Sequence, residues 1–237
     1  MNVSIIIPAY NEEKRITRTI QEYHRFFRFL DDPSITRYEF VIVLNGCRDN
    51  TKAIVTELSK QFSSVRIVEC VQAGKGLAVR AGFLDALLRD NDLIGFVDAD
   101  MATSPDAFYK LIQNIECNDG IIASRYMSGA RIYPPRPWIK RWGSRLFYES
   151  LIWLLFGMRY HDYQCGAKLF TRRVVETIAS QLTITQWAFD VELLYLCKLN
   201  KFIIREFPTV WHDQAESKLR ISSGFCMLIN LIKLRFK

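Results

Sequence analysis

Short apolar runs that alternate with helical stretches constrain the fold of this chain more than any other feature. The runs "VSIIIPAY" (3–10), "YEFVIVLNG" (38–46) and "LIGFVDAD" (93–100) each contain a nearly continuous apolar stretch, which is typical of buried strands, and "VRIVEC" (65–70) reads as a further strand. Stretches with helical periodicity lie between them. The alternation predicts an α/β fold with a mostly parallel central sheet flanked by helices. In such sheets, ligands bind at the carboxyl ends of the strands.

The composition allows one full domain. The chain has 237 residues, of which 49% are hydrophobic, enough to bury a sizeable core. We expect a main domain over residues 1–210 and, over 211–237, a C-terminal flap followed by an amphipathic, membrane-facing helix. Six cysteines are scattered without a CxxC pair, which favours a reducing compartment.

The net charge of +7 predicts anionic partners. Nucleotide phosphates, lipid phosphates and an acidic membrane surface all fit that charge. The sequence contains no recognised nucleic-acid-binding motif, so we expect no nucleic acid partner.

Two amphipathic stretches bear on membranes. They are "ESLIWLLFGM" (149–158) and "FCMLINLIKLRFK" (225–237), and both are shorter than the roughly 20 apolar residues that a spanning helix needs. Each could pack into the core, but the aromatic and cationic flanks favour a helix lying in the membrane interface. The chain opens directly into an apolar strand without a basic leader, which predicts no signal peptide. We therefore expect a cytoplasmic protein that is peripherally associated with a membrane.

Two carboxylates end the fourth apolar run. Asp98 and Asp100 flank Ala99, and in an extended backbone their side chains point the same way. Two like charges this close predict a cation between them, and hard oxygen ligands favour Mg²⁺ or Mn²⁺. The alternative is a solvated strand end.

Five motifs carry a resemblance to a known family. "IIIPAYNEE" (5–13), "DAD" (98–100), "SRY" (124–126), "DYQCGAKLF" (162–170) and "WAFDVELLYL" (187–196) resemble the family 2 inverting glycosyltransferases of the GT-A fold, the nucleotide-diphospho-sugar transferase fold. Within that family the motifs are most similar to the branch of dolichyl-phosphate glucosyltransferases and dolichyl-phosphate mannose synthases. The resemblance spans nearly the whole chain.

The resemblance implies a hexosyltransferase. It implies transfer of a hexose from a nucleotide sugar, UDP-glucose first and GDP-mannose next, to a polyprenyl or dolichyl phosphate by metal-dependent inverting displacement. Two alternatives stay open. One is a glycosyltransferase with a hydroxyl acceptor in polysaccharide or glycolipid synthesis, and the other is a non-catalytic nucleotide-sugar-binding protein.

The resemblance also places residues on the donor side. The expected nucleotide-sugar-binding residues are Pro8, Tyr10, Glu12, Asn45, Lys75, Arg80 and Asp98. Glu12 has a simpler explanation, as an acid favoured by the dipole at a helix N-terminus. Asp98 and Asp100 are the expected metal ligands.

One stretch departs from the family pattern. The second strand usually ends in Asp-Asp-Gly-Ser, and this chain has Leu44, Asn45, Gly46 and Cys47. Asn45 still offers an amide carbonyl and an amide donor, whereas Leu44 cannot hydrogen-bond. The departure leaves open the base that the site reads.

On the acceptor side the resemblance implies a set of cations. The expected acceptor-phosphate-binding residues are Arg125, Arg131, Lys168 and Lys218. A basic stretch extends the set with Arg136, Lys140, Arg141 and Arg145. A solvated basic loop and a buried Lys-Asp pair are the alternatives for these residues. The segment around His212 could close over the donor diphosphate.

The expected catalytic residues are Asp98, Asp100, Asp190 and Arg125. The resemblance implies that Asp190 stands where family members with hydroxyl acceptors carry the general base. A phosphate acceptor is already ionised, so Asp190 could position the sugar or the acceptor instead. Glu192 follows at i+2, on another helix face, and could be purely structural.

Overall fold

In the computed structural model of the chain, residues 1–135, 148–186, 188–214 and 229–235 are described. A seven-stranded sheet has the order β3-β2-β1-β4-β7-β5-β8, and β6 and β9 form a separate two-stranded sheet. The strands are β1 (Asn2–Ala9), β2 (Arg37–Asn45), β3 (Val65–Cys70), β4 (Leu93–Phe96), β5 (Gly120–Ser124), β6 (Arg131–Tyr133), β7 (Lys168–Thr171), β8 (Ile204–Pro208) and β9 (Val210–His212). The helices are α1 (Ile16–Arg28), α2 (Thr51–Gln61), α3 (Lys75–Ala86), α4 (Pro105–Asn114), α5 (Arg172–Ile178) and α6 (Phe189–Leu199), with a short 3₁₀ helix at Ala179–Gln181.

The first four strands are parallel, as the apolar runs predict. Alternate residues of β1 enter two cores: Ile5 and Ile7 pack under α1, α2 and α4, while Ile6 packs under α3, α5 and α6. The sheet is therefore covered on both faces. This explains why its central strands read as nearly unbroken apolar sequence.

The fourth strand is shorter than the sequence predicts. β4 ends at Phe96, and Ala99 and Asp100 form a turn that Met101 completes in the left-handed region at φ 62°. The expectation that an extended backbone aims Asp98 and Asp100 at one spot is therefore wrong, because a turn replaces the pleat. The two carboxylates are neighbours through the turn instead.

Helix α1 holds this turn in place. The Thr19 hydroxyl donates to the Ala99 carbonyl at 2.7 Å, and the buried Tyr23 hydroxyl donates to the Thr103 carbonyl at 3.0 Å. On the other side, the amide of His212 donates to the Ala102 carbonyl at 2.9 Å. The segment after β4 is thus fixed by hydrogen bonds from α1 and β9 rather than by pairing within the seven-stranded sheet.

The second half of the chain holds strands that the apolar runs do not reveal. β7 lies between β4 and β5 and is antiparallel to both, which places "KLF" of the "DYQCGAKLF" motif in the middle of the sheet. β9 spans the expected domain boundary after residue 210, and its Trp211 is buried in the core.

Residues 148–156 and 229–235 contain helix. Ile152, Phe156 and Leu231 pack from these stretches into the core beside α3, α5 and α6. In the described part of the chain, no helix combines the length and the apolar character needed to cross a bilayer. Several expected cations lie outside the described residues: Arg136, Lys140, Arg141, Arg145 and Lys218.

Candidate active site

A lysine and a carboxylate meet at the carboxyl edge of the sheet. Lys75 is the first residue of α3, and its ammonium forms a salt bridge with Asp98, two residues beyond β4. Their side chains keep 17% and 26% of their exposure, so the pair faces an open site. Burial by itself would lower the pKa of Lys75, but the carboxylates of Asp98 and Asp190 raise it above its usual value. Lys75 is therefore a fixed positive charge at neutral pH.

Gly166 of the "QCGAKLF" stretch forms the wall behind Asp98. A methyl group at Gly166 would lie 1.9 Å from Asp98 Oδ2 and 2.4 Å from its Cγ. Only a residue without a side chain lets the carboxylate occupy this place. The glycine thus sets the orientation of Asp98, a role that the motif alone does not reveal.

Asp100 lies close enough to Asp98 to feel its charge. Burial raises the pKa of Asp100, and the negative charge of Asp98 raises it further. Asp100 Oδ1 also accepts a hydrogen bond from the Ala102 amide at 3.0 Å. A cation between the two carboxylates would relieve this repulsion.

The donor set fits a Mg²⁺ or Mn²⁺ ion. Among the described residues no cluster of three or more His, Cys, Asp or Glu side chains could enclose a metal. An ion of this kind takes one or two carboxylates and completes its shell with water and substrate phosphates, so the Asp98–Asp100 pair is sufficient.

Lys168 and Asp190 form a buried salt bridge. The Lys168 ammonium donates to Asp190 Oδ1 at 2.6 Å and to the Cys165 carbonyl at 2.7 Å. The side chains are 0% and 4% exposed. The sequence places Lys168 at the acceptor phosphate, but its ammonium is enclosed and engaged. The buried Lys-Asp pair, weighed above as the alternative, is what the structure shows.

Arg125 is also held by a carboxylate. Its guanidinium makes a bidentate contact with Asp162, at 2.7 and 2.9 Å, and its carbon lies 4.9 Å from the centre of the Trp211 ring. Burial alone would raise the pKa of Asp162, but Arg125 outweighs it and holds that pKa below the usual value of 3.8. Arg131 lies exposed on β6, at the edge of an open cavity of about 360 Å³.

Arg80 does not join the cluster at Asp98. Its guanidinium donates to the Ala179 carbonyl at 3.2 Å, on the 3₁₀ helix. Because Lys75 and Arg80 are five residues apart on one helix, they face different directions. The structure thus pairs Lys75 with Asp98 and Arg80 with the neighbouring 3₁₀ helix, and a role of Lys75 at the donor phosphate stays a prediction.

The first strand delivers the remaining donor-side residues. Pro8 is buried within β1, and Tyr10 is exposed just after the strand. Glu12 is buried and binds the Arg15 guanidinium through both carboxylate oxygens, at 2.7 and 2.9 Å. Its backbone amide donates to the Thr51 hydroxyl at 2.8 Å, which joins the loops after β1 and β2.

Asn45 ends β2 with an unsatisfied oxygen. The residue is buried, and its Oδ1 has no hydrogen-bond partner among the described residues. A buried amide oxygen without a partner costs about 1–3 kcal/mol, which a ligand donor would recover. This position is where the resemblance places recognition of the base.

Glu192 acts away from Asp190, as its position on another helix face predicts. It accepts hydrogen bonds from Thr183 and Ile184. The sequence motif shows an acid in the first turn of a helix, but it does not show these partners, because they lie in an irregular segment eight and nine residues earlier.

Comparison with known proteins confirms the resemblance. The sequence profile of the family "Glycosyl transferase family 2" matches residues 4–179. The chain is 33% identical to dolichyl-phosphate beta-glucosyltransferase ALG5C of Trichomonas vaginalis, a match that covers 98% of this chain and 70% of the relative. It is 35% identical to the dolichyl-phosphate beta-glucosyltransferase of Drosophila melanogaster and 33% identical to that of Homo sapiens, and each match covers 92% of this chain and 69% of the relative.

Solved structures share the fold. Glucosyl-3-phosphoglycerate synthase from Mycobacterium tuberculosis, in complex with UDP, superposes with a TM-score of 0.68 at 16% identity, over 99% of this chain and 78% of that one. The complex of the same enzyme with Mn²⁺, UDP and glucosyl-3-phosphoglycerate also gives 0.68, at 15% identity, over 98% of this chain and 78% of that one. At such low identity the likeness shows the fold alone, and it confirms the predicted GT-A architecture. By its family match and its relatives, the chain belongs to glycosyl transferase family 2 and is a glycosyltransferase.

Proposed function

We propose that the protein transfers a hexose from UDP-glucose to a polyprenyl phosphate such as dolichyl phosphate, by inverting displacement. The relatives named dolichyl-phosphate beta-glucosyltransferase support both the sugar and the acceptor class. The observation that carries the choice of acceptor is the buried ion pair of Lys168 and Asp190.

That ion pair argues against a hydroxyl acceptor. Attack by a hydroxyl needs a general base that can reach the acceptor proton. Asp190 is enclosed and its Oδ1 is bound by the Lys168 ammonium, so this carboxylate is poorly placed to take a proton from an acceptor. A phosphate acceptor arrives ionised and attacks the anomeric carbon without a base. The ion pair then shapes the site instead of moving a proton.

The residues around Asp98 suit the departing diphosphate. Asp98 and Asp100 would hold a Mg²⁺ or Mn²⁺ ion, which when bound stabilises the charge of the leaving nucleoside diphosphate. Lys75, already fixed at Asp98, adds a positive charge beside the same group. Asn45 offers its unpartnered oxygen to a donor on the base.

We also propose that the protein binds the cytoplasmic surface of a membrane, where a lipid-linked acceptor resides. Trp153 and Leu154 are 49% and 75% exposed on the helical residues 148–156, and Ile229 and Ile232 are exposed on residues 229–235. Exposed aromatic and aliphatic side chains on core-anchored helices suit the membrane interface. Sedimentation with vesicles tests this, because Trp153→Ser/Leu154→Ser should reduce binding to vesicles of anionic lipid.

The decisive experiment is a donor panel. The purified chain is incubated in detergent with Mn²⁺, polyprenyl phosphate, and UDP-glucose or GDP-mannose, and the lipid product is identified by mass. We expect hexosyl polyprenyl phosphate from UDP-glucose. Product from GDP-mannose alone would transfer the proposal to the mannosyl donor.

A matched acceptor controls for the mechanism. Polyprenol has the same chain with a hydroxyl in place of the phosphate, and we expect no product from it. Transfer to polyprenol, abolished by Asp190→Asn, would establish a hydroxyl-acceptor enzyme instead. Complete inertness with every donor and with lipid extract would favour a nucleotide-sugar-binding protein.

A further inference from the structure

Glu192 is a buried carboxylate with a full set of partners. It is 1% exposed and lies in the first turn of α6. The Thr183 amide donates to both of its oxygens at 3.0 Å, the Thr183 hydroxyl donates to Oε1 at 2.6 Å, and the Ile184 amide donates to Oε2 at 2.7 Å. Hydrogen bonds to an ionised carboxylate are the strong kind. Glu192 therefore fixes the irregular segment that contains Thr183 and Ile184.

That segment packs closely against the start of α3. The Gly76 amide donates to the Thr185 carbonyl at 3.0 Å. A methyl group at Gly76 would lie 2.2 Å from the Ile184 oxygen and 2.8 Å from Phe189 Cβ. Position 76 must be glycine for the two backbones to approach this closely. Because Glu192 holds residues 183–185 in place, this contact also holds the first turn of α3 in place.

The first turn of α3 carries Lys75. We propose that Glu192 is a positioning residue, which acts through residues 183–185 to hold Lys75 against Asp98 and ready for the donor diphosphate. The inference rests on the proposed function, since Lys75 is taken to contact the diphosphate. It adds a residue that lies outside the donor pocket and governs donor affinity.

A purely structural role makes a different prediction. If Glu192 is only structural, its loss lowers the stability of the protein, and any effect on nucleotide affinity is the same whether or not Lys75 is present. Loss of a positioning contact acts on affinity only while Lys75 is present. A double-mutant cycle between Glu192 and Lys75 separates the two roles.

The test measures UDP binding to the full chain by calorimetry in the presence of Mn²⁺. For Lys75→Met we expect Kd to rise on the order of tenfold, as for the loss of one charge-assisted contact. For Glu192→Gln, which keeps the shape and one acceptor oxygen, we expect a rise of roughly threefold to tenfold. The double variant should bind no more weakly than Lys75→Met. An unchanged Kd in Glu192→Gln, or a double variant whose loss is the product of the two single losses, overturns the proposal.

Glu39→Gln is the matched control. Glu39 is a largely buried carboxylate bound by Arg89 and Asn91, and it lies near the amino end of β2, at the opposite edge of the sheet. This variant should lower the melting temperature and leave the Kd for UDP unchanged. Should Glu192→Gln fail to fold, Thr183→Val replaces it, because it removes only the hydroxyl that donates to Glu192.

Hydrogen exchange separates this proposal from the proposed function. The Gly76 amide should exchange faster in Glu192→Gln than in the wild type, while the amides of β2 keep their rates. If the wild type fails to bind UDP, the proposed function fails, and exchange at Gly76 still decides the role of Glu192. Equal exchange at Gly76 in both proteins would refute the positioning role of Glu192.

Discussion

The buried ion pair in the middle of the sheet makes a quantitative prediction. In Lys168→Met, a side chain of similar length replaces the ammonium that lies 2.6 Å from Asp190 Oδ1. Asp190 then remains buried without its counter-charge, at 3% exposure. Breaking one side of such a pair costs about 3–5 kcal/mol of the free energy of unfolding. The Cys165 carbonyl also loses its donor, which places the expected loss at the upper end of that range.

Replacing both residues of the pair should lower the free energy of unfolding much less than Lys168→Met does. Lys168→Met/Asp190→Leu removes both charges, so neither is left uncompensated in the core. Replacing a buried ion pair with apolar residues of similar volume is often neutral or stabilising by about 1–4 kcal/mol, because the desolvation of both charges disappears. Lys168 Nζ lies 5.4 Å from the centre of the Phe96 ring, so the methionine meets an aromatic neighbour.

Urea unfolding followed by circular dichroism measures, by linear extrapolation, the free energies of unfolding of the wild type, Lys168→Met, Asp190→Leu and the double variant. We expect Lys168→Met to lose about 4–5 kcal/mol of the free energy of unfolding, the upper end of the range given above, and the double variant to regain most of it. A loss below about 1 kcal/mol in the single variant would show that the pair is solvated. A double variant as unstable as the sum of the single variants would show that the two groups do not interact. Either result would refute the reasoning that keeps Asp190 from acting as a base.

Three other changes test the site and its support. Gly166→Ala displaces the Asp98 carboxylate. The Kd for Mn²⁺, measured by its electron paramagnetic resonance signal, should therefore rise about tenfold, as expected for a perturbed ligand environment. The melting temperature should change little. The pKa of Asp162 is lower in the folded state, so its pairing with Arg125 stabilises the protein at neutral pH and is lost as the pH falls from 3.8 through the lowered value; Asp162→Asn should flatten acid unfolding in that range. Ser104→Ala removes the side-chain cap of α4, and thermal unfolding should show a loss of about 1 kcal/mol.

The first half of the fold follows from the sequence because β1, most of β2 and β4 are buried on both faces. Four apolar runs predict β1 to β4. The pair Ser104 and Pro105 is typical of a helix start, and α4 begins there with the Ser104 hydroxyl accepting from the Ala107 amide. These signals are local. β7 carries no such signal, since it is four residues long and its antiparallel neighbours β4 and β5 come from distant parts of the chain.

In the candidate site, too, some features can be predicted from the sequence and others depend on contacts between distant residues. The resemblance assigns Asp98 and Lys75 to the donor side, and the structure shows in addition that they form a salt bridge. The turn completed by Met101 rules out the simpler argument from strand pleating. The buried pair of Lys168 and Asp190 stays only an alternative in the sequence, because Asp190 lies 22 residues later and sequence spacing does not show which side chains a fold brings into contact. Charge alone predicts an anion nearby but does not say whether that anion is a substrate or a neighbouring aspartate.

Two lysine–carboxylate pairs lie beside one aromatic ring, and they differ in exposure and therefore in how easily each pair can separate. Lys75 Nζ and Lys168 Nζ lie 6.0 and 5.4 Å from the centre of the Phe96 ring. The pair of Lys75 and Asp98 is partly exposed, so water screens its attraction and either partner can exchange the other for a ligand at little cost. The pair of Lys168 and Asp190 is enclosed, so separating it would leave two buried charges unpaired. We therefore expect a bound diphosphate and its cation to rearrange the first pair and to leave the second pair in place.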